Sequence, residues 1–459
     1  LTSPNVSLTP LLPGIGNFSI RGMGTVGQSI PSSDPAVGIV VDGISYGTIY
    51  GVLFDLFDIE SVEILRGPQG TLFGRNVTGG AVVLRTGRPT DEFEGKVKAT
   101  LGSHDRKDVM LSVSGPLSDE FSGKVAILSK SHGDYWDKEY YSDGTGASES
   151  LVVRPALQYQ KDNLDITVIS ELGSIDADGN ATRNFYLDGV ERSPYGDNKS
   201  TQADDGLNSL DWKSLTIESH VDLDGSVITA IVGYRELEQE AHFDIDGDPT
   251  AARFHFAPGT GMDQNQSSIE VRWAGDIREN VTLTTGIYYF EQEYDYRERR
   301  LVAQTLDRRG ASNVEHSTYG LFAQSDIWLT EALTLTLGGR YSAEKKSADI
   351  GVIGDPNATG NCANQSGPPF EGYSSLSDCR TVFSDSEKWS NFAPKVGVSW
   401  QLDDSVMTYA SYTRGFRSGG YNVRFTDTSL VTNPSNPTST PGPYSGCLRS
   451  WFKVGLDGK

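Results

Sequence analysis

From about residue 95 onward, apolar and polar residues alternate in long runs that break at turns. Lys96–Leu101 sets Val97, Ala99 and Leu101 against Lys96, Lys98 and Thr100. Leu164, Ile166 and Val168 oppose Asp165 and Thr167, and Ile269, Val271 and Trp273 oppose Ser268, Glu270 and Arg272. Leu333, Leu335, Leu337 and Tyr341 oppose Thr334, Thr336, Arg340 and Ser342. Phe392, Val396, Val398 and Trp400 oppose Asn391, Lys395, Ser399 and Gln401. A period of two sends neighbouring side chains to opposite faces of a strand, so each run predicts a strand with one apolar and one polar face. A soluble sandwich alternates in the same way, and alternation alone does not choose between them.

Three features favour a wall that crosses a membrane. The runs are long. Trp273, Trp328, Tyr341 and Trp400 sit at the ends of apolar faces, as an aromatic girdle requires. The connections also alternate. Short polar turns fall at Pro116–Phe121, 160–164, 222–226, 276–281 and 329–333, and long polar stretches at 133–149, 175–207, 238–263 and 347–386. About thirteen strands fit between residues 95 and 418, at about 25 residues each with their share of loop. A transporter barrel of about 22 strands would need roughly 550 residues at that spacing. An open wall exposes unpaired strand edges to lipid, so the chain reads as a piece of a longer one, and Ser450–Leu456 as the start of another strand.

Composition narrows the partners. The 459 residues carry net charge −22, from 61 acidic and 39 basic residues. No basic stripe is present to meet a phosphate backbone, which argues against nucleic acid. No run of about 18 apolar residues predicts a membrane helix, and Leu1 opens without the basic flank and apolar core of a signal peptide. Cys362 and Cys379 lie in a segment rich in Gly, Ser, Pro and Asn. Oxidised, they would close a loop and stabilise it by about 3 kcal/mol in the chain-entropy model, as suits the periplasm or cell surface; two free thiols are the alternative. Cys447 has no evident mate.

Residues 1–90 have a different texture, with short apolar runs punctuated by glycine. Val37–Val41 reads as a strand closed by the turn pair Asp42-Gly43, Ile59–Leu65 alternates, and Ala81–Arg85 is another short strand. The densest signal is Leu65–Ala81, LRGPQGTLFGRNVTGGA, preceded by IRGMG at Ile20–Gly24, VVDG at Val40–Gly43 and LFDLFDIESVEI at Leu53–Ile64. In that order these segments resemble the plug domain of TonB-dependent outer-membrane receptors, most closely the iron-siderophore type, and Tyr409–Tyr421 (YASYTRGFRSGGY) resembles their barrels.

The resemblance implies a mainly β fold. An N-terminal α/β plug domain (1–90) precedes an incomplete antiparallel transmembrane β-barrel (91–459) with about 13–14 of 22 strands. It implies an integral protein of the Gram-negative outer membrane, in contact with its lipid. TonB and its inner-membrane energising complex act on an N-terminal segment, the plug rearranges, and a scarce ligand passes. That ligand is expected to be a ferric siderophore. Another bulky nutrient, such as cobalamin or a saccharide, is the alternative within the fold, and a surface adhesion protein without transport the alternative from another class. The TonB-binding segment and the earliest plug strand are not recognisable in Leu1–Pro13. The motif residues are Arg21, Gly22, Asp42, Gly43, Arg66, Gly67, Pro68, Gly70, Gly74, Arg75, Asn76, Gly79 and Gly80.

A plug inside a polar lumen must hold the wall through charged and hydrogen-bonding groups if the two are to part. Arg21, Arg66, Arg75 and Arg85 are the available cations, with Arg66 foremost, and the inward-parity Glu171 and Glu270 are candidate partners, since arginine forks onto carboxylates. The plainer alternative is that these arginines brace turns inside the plug. Asp176–Gly179 and Asp244–Asp248 echo calcium loops but lack the full EF-hand spacing, and read as loop turns. Asn76-Val77-Thr78 fits a glycosylation acceptor only as a short match. The six histidines (His104, His132, His220, His242, His255 and His316) show no zinc-ligand spacing. No catalytic constellation, phosphate loop or nucleophile elbow is present, so no catalytic residue, metal ligand or cofactor is expected.

Overall fold

The computed structural model describes residues 3–24, 34–52, 57–184, 198–242, 244–249, 257–302, 306–353, 381–423 and 453–454. At the N-terminus, β1 (Val6–Leu12) and β2 (Ile15–Ile20) form an antiparallel hairpin. A four-stranded mixed sheet follows, built from β3 (Val37–Val41), β4 (Ile44–Ser45), β5 (Ile59–Arg66) and β6 (Gly80–Thr86). Its order is β4-β3-β6-β5, with β3 and β6 parallel. Asp42-Gly43 joins β3 to β4 with φ of 48° and 82°, the paired positive values of a tight hairpin turn that Asp-Gly adopts at little cost. The Asp42 carboxylate then accepts from the Thr86 backbone N–H at 2.9 Å and the Thr86 hydroxyl at 2.8 Å, tying that turn to the end of β6. Phe18, Ile20, Val37, Ile39, Val82 and Leu84 fill the plug core. The expected helical share of this domain shrinks, among the described residues, to the single turn α1 (Gly70–Phe73).

The wall begins with β7 (Glu94–Leu101), β8 (Lys107–Pro116) and β9 (Phe121–His132). Next come the short β10 (Trp136–Lys138) and β11 (Gly144–Thr145), the long β12 (Ser148–Lys161) and β13 (Leu164–Ala177), and the short β14 (Lys199–Ser200). Long strands continue through β15 (Leu207–Leu223), β16 (Ser226–His242), β17 (Ala257–Arg278), β18 (Val281–Val302) and β19 (Leu306–Thr330). β20 (Leu333–Ile353), β21 (Thr381–Gln401) and β22 (Met407–Thr413) end the series. Thirteen of these strands form one antiparallel sheet, each paired with the next in sequence; β10, β11 and β14 make a separate three-stranded sheet from two loops. The end strands β7 and β22 are exposed along nearly their whole length, so the barrel is incomplete.

The outward rows match the alternation. Val97, Ile269, Leu321, Leu337, Val396 and Val398 are exposed, although they would be core residues in a soluble sheet. Trp328 and Trp400 mark the end near the short turns; Tyr319, Tyr341 and Phe392 mark the other end. Phe392 to Trp400 spans roughly 27 Å along the strand at ~3.4 Å per residue. A tilt of about 35–45° shortens this toward the ~25 Å apolar band of a membrane barrel.

Two expectations need correction. The long stretches 238–263 and 347–386 are not loops throughout: β16 runs to His242, β17 starts at Ala257, β20 runs to Ile353 and β21 starts at Thr381. Above the bilayer neither face has to be apolar, so the sequence pattern stops while the hydrogen-bond ladder goes on. The inward face is also not uniformly polar. Ile175, Leu210, Trp212 and Leu237 point in and pack with Leu12, Ile15 and Tyr50 of the plug.

Candidate functional site

The functional arrangement is the contact between plug and wall, and it is built from ion pairs between plug residues and inward-facing strand positions. Three clusters carry it.

The first gathers around Asp58, which the plug presents just before β5 with φ of 52°. Lys124 of β9 pairs with it, and Arg154 of β12 reaches it at 3.3 Å. Arg154 also pairs with Glu171 of β13 at 2.5 Å, and the Trp212 indole N–H of β15 donates to the other Glu171 oxygen at 2.7 Å. Adjacent strands thus present Lys124 and Arg154 to one plug carboxylate, and Glu171, itself held by the Trp212 indole, braces Arg154. Arg154 bridges the two carboxylates and, with Lys124, balances their charge in a site with little water, where a lone charge would cost several kcal/mol.

The second sits at the end of β6. Arg88 pairs with Glu218 of β15 at 2.5 Å and with Asp42 at 3.5 Å, and Arg85 reaches Glu218 at 3.8 Å. Burial pushes the Asp42 carboxyl up, and Arg88 and the Thr86 hydrogen bonds offset only part of that rise.

The third surrounds Arg75, which follows α1. Its guanidinium donates to His316 Nδ1 of β19 at 2.7 Å, lies over the Phe290 ring of β18 at 4.0 Å, and stands 3.8 Å from the plug's Asp34. Lys346 of β20 pairs with Asp34 at 2.6 Å and donates to the Gly419 carbonyl at 2.9 Å. Burial pushes the Asp34 carboxyl up, but Lys346 and Arg75 outweigh it and hold the group below the usual carboxylate range.

Neutral contacts fill the space between. The Gln266 side chain accepts from Gly47 N–H at 3.0 Å and donates to the Ser45 carbonyl at 3.1 Å, while Thr48 donates to Gln264 at 2.9 Å. Arg235 of β16 is fully buried, donates to the Tyr50 carbonyl at 2.6 Å and stacks over Tyr46 at 4.5 Å. Arg340 of β20 lies between the Tyr288 and Phe322 rings, at 5.1 and 5.3 Å. It closes on Gly74, whose positive φ of 79° and missing Cβ let the guanidinium approach; a methyl there would stand 2.9 Å from Arg340 Cζ.

The residues named from sequence fall in different places. Arg75 and Gly74 lie at the contact. Gly70 faces the Arg414 carbonyl, with space of only 3.0 Å for a Cβ, and Pro68 lies against Gly415. Asn76 is buried at φ 60°, and Gly79 and Gly80 lead into β6 beside Ala36 and Leu65. Arg21 and Gly22 form an exposed turn, and Gly67 lies in an open one. Arg66 donates to Ser3 of the plug at 2.7 Å. Glu171 meets Arg154, and through it Asp58, whereas Glu270 stands 3.6 Å from Arg272 of its own strand. Asp244 caps its own turn, accepting from the N–H groups of Asp246 and Gly247. Cys362, Cys379, Cys447 and His255 lie outside the described residues. Sequence reasoning missed Lys124, Arg154, Arg235, His316, Arg340 and Lys346; their inward parity was the available signal.

A lipid-facing strand wall around a small domain held by buried ion pairs defines a plugged outer-membrane barrel. The comparisons place the chain within that class: it belongs to the TonB-dependent receptor family. The family's barrel model (TonB dependent receptor-like, beta-barrel) matches residues 134–446 and its plug model matches residues 3–81. The family consists of receptors of the outer membrane. The chain is 32% identical to the pesticin receptor of Yersinia enterocolitica over 34% of this chain and 24% of that protein. It is 24% identical to the ferrienterobactin receptor of Escherichia coli over 62% of this chain and 42% of that one. Its fold superposes on the ferric yersiniabactin uptake receptor of Yersinia pestis with a TM-score of 0.76 at 20% identity, covering 93% of this chain and 62% of the other. A siderophore receptor of Acinetobacter baumannii gives 0.71 at 14% identity, covering 95% and 64%. These structural likenesses establish the fold alone. The chain spans well under half the length of the curated relatives it matches.

Proposed function

We propose that this chain is the plug and first part of the barrel of an outer-membrane transporter that takes up a scarce ligand, a ferric siderophore, by TonB-dependent active transport. The observation that carries the reading is the plug held inside a lipid-facing wall by ion pairs and hydrogen bonds beside one apolar patch. Such contacts can be exchanged for water when the plug is pulled, whereas a wholly apolar interface would resist parting. The ferrienterobactin and ferric yersiniabactin receptors are by name receptors for ferric chelates, and that supports iron over other cargo. In this reading residues 1–90 are the plug, TonB and its inner-membrane partners supply the force, and the protein moves its ligand without chemical change.

The test is growth of a deletion strain on single ferric chelates as sole iron source. Loss of growth on one chelate, restored by the gene, is expected. Normal growth on every chelate, with loss of uptake of cobalamin, a saccharide or another bulky nutrient, would contradict the iron reading. Normal uptake of all of these, with loss of surface attachment, would favour adhesion.

A further inference from the structure

The motif at Tyr409–Tyr421 is only half used by the wall. β22 keeps to the ladder over Met407–Thr413, paired with Lys395–Gln401, whereas β21 itself is 21 residues long. After one more hydrogen bond, from the Arg414 N–H to the Pro394 carbonyl at 3.2 Å, the chain leaves the wall sheet and turns inward. Ser418, Gly419, Tyr421 and Val423 are buried there, and the Tyr421 ring lies 5.9 Å from that of Phe383. The inturned stretch runs along the plug's motif loop. A Cβ on Gly415 would stand 3.1 Å from Pro68 Cβ and 3.2 Å from Thr78 Cα. One on Gly70 would stand 3.0 Å from the Arg414 carbonyl oxygen and 3.7 Å from Gly415 Cα. A glycine from each side thus lets two backbones meet at van der Waals distance. Pro68 and Thr78, near the two ends of the loop, lie against the same residue of the wall.

A lysine joins the pieces. Lys346 of β20 is buried, and its ammonium holds the Asp34 carboxylate at 2.6 Å and donates to the Gly419 carbonyl at 2.9 Å. Asp34 in turn stands 3.8 Å from Arg75, within the motif loop. Wall, inturned stretch and loop are therefore tied through one ammonium, whose several N–H donors can serve both partners at once. We propose that Arg414–Tyr421 is a latch. It holds the plug loop Gly67–Thr78 in its seat, Lys346 pins it, and the loop must leave it before the plug parts from the wall. The last step rests on the transport reading; the seat itself does not. Backbone and small side chains make the contact with the loop, so the loop can slide off the latch without breaking an ion pair of its own there.

The experiment is amide hydrogen exchange of residues 67–79 in the intact receptor in outer-membrane vesicles, with the β12 and β13 amides as control. Lys346→Met removes the pin, and Gly415→Val puts a side chain where Pro68 and Thr78 stand. Each should cut the protection of 67–79 by about tenfold or more and leave β12 and β13 unchanged. Pro68→Cys with Gly415→Cys places two thiols within disulfide reach. The oxidised bond, located by mass spectrometry because Cys362, Cys379 and Cys447 are also present, should restore protection to Lys346→Met. Unchanged exchange in either single variant would overturn the proposal, as would an equal loss in β12 and β13, or a disulfide that leaves the loop unprotected. Should Lys346→Met fail to assemble, Gly415→Val decides. The second readout is cellular uptake of radiolabelled iron on the chelate that the deletion strain cannot use. The oxidised pair should take it up at about a tenth of the parent rate or less, and reductant should restore it. Uptake by the oxidised pair at the parent rate would overturn the latch. Absence of uptake in the parent would sink the transport reading instead, and exchange would still decide whether the stretch seats the loop.

Discussion

The two faces of the wall invert the rule that governs soluble sheets. Outside, Leu321 and Phe392 are 59% and 56% exposed; inside, Arg235 and Arg340 are 1% and 2% exposed. The same strands, often neighbouring residues such as Arg340 and Tyr341, carry both. The difference teaches that burial here follows the neighbouring medium. Lipid takes the place of a core on one face, and a charged plug takes the place of water on the other. A strand can therefore hide its cations and display its leucines without strain in either place.

The largest effect should come from stripping the inner face of a shared cation. Arg154→Met leaves Asp58 with Lys124 alone and Glu171 with only the Trp212 indole, and should weaken plug seating by about 3–5 kcal/mol. Limited proteolysis of the plug against temperature reads this directly, and an unchanged midpoint would show that the cluster holds nothing. The outer face should respond to the opposite change: Leu321→Arg places a charge in the lipid belt and should cost about 2–4 kcal/mol in urea unfolding from vesicles. An effect near zero would mean that Leu321 faces water.

Smaller effects sharpen the contact itself. Gly74→Ala forces a side chain into a positive-φ position against Arg340 and should cost more than about 1 kcal/mol, seen as faster exchange in α1 with the wall unchanged. The acid limb of plug stability should contain a term from Asp34. Its carboxyl is held below the usual range in the folded state, so its contribution is present above about pH 4 and is lost as pH falls through the depressed folded value. Asp34→Asn should flatten that limb in a proteolysis series against pH. An identical acid limb in the variant would remove Asp34 from the account.

How much of this was legible depended on the distance between partners. The outer belt was readable because Leu335, Leu337 and Val398 repeat with a period of two, which any strand imposes. The plug motif was readable as ordered segments, but its contacts were not. Arg75 and His316 lie 241 positions apart, and nothing local to either marks the other. Glu171 carried the right parity, yet its partner was Arg154 on the adjoining strand, where the motif arginines had seemed the natural choice. The upper strands escaped notice because Lys346 and Ile350 lie where both faces of the wall meet polar surroundings or plug. The apolar inward patch of Ile175, Leu210 and Trp212 was missed because it answers the β1–β2 hairpin, which Leu1–Pro13 did not reveal as strand.

The most direct test is nitroxide scanning of Thr334–Tyr341 in the intact receptor reconstituted in lipid vesicles, with oxygen and a water-soluble nickel chelate as relaxants. Labels at Leu335, Leu337 and Tyr341 should collide with oxygen and be shielded from nickel, and labels at Thr334, Thr336 and Arg340 should not share that lipid signature. Equal accessibility along the strand, or leucine positions shut off from lipid, would contradict a wall that faces the bilayer and encloses its plug.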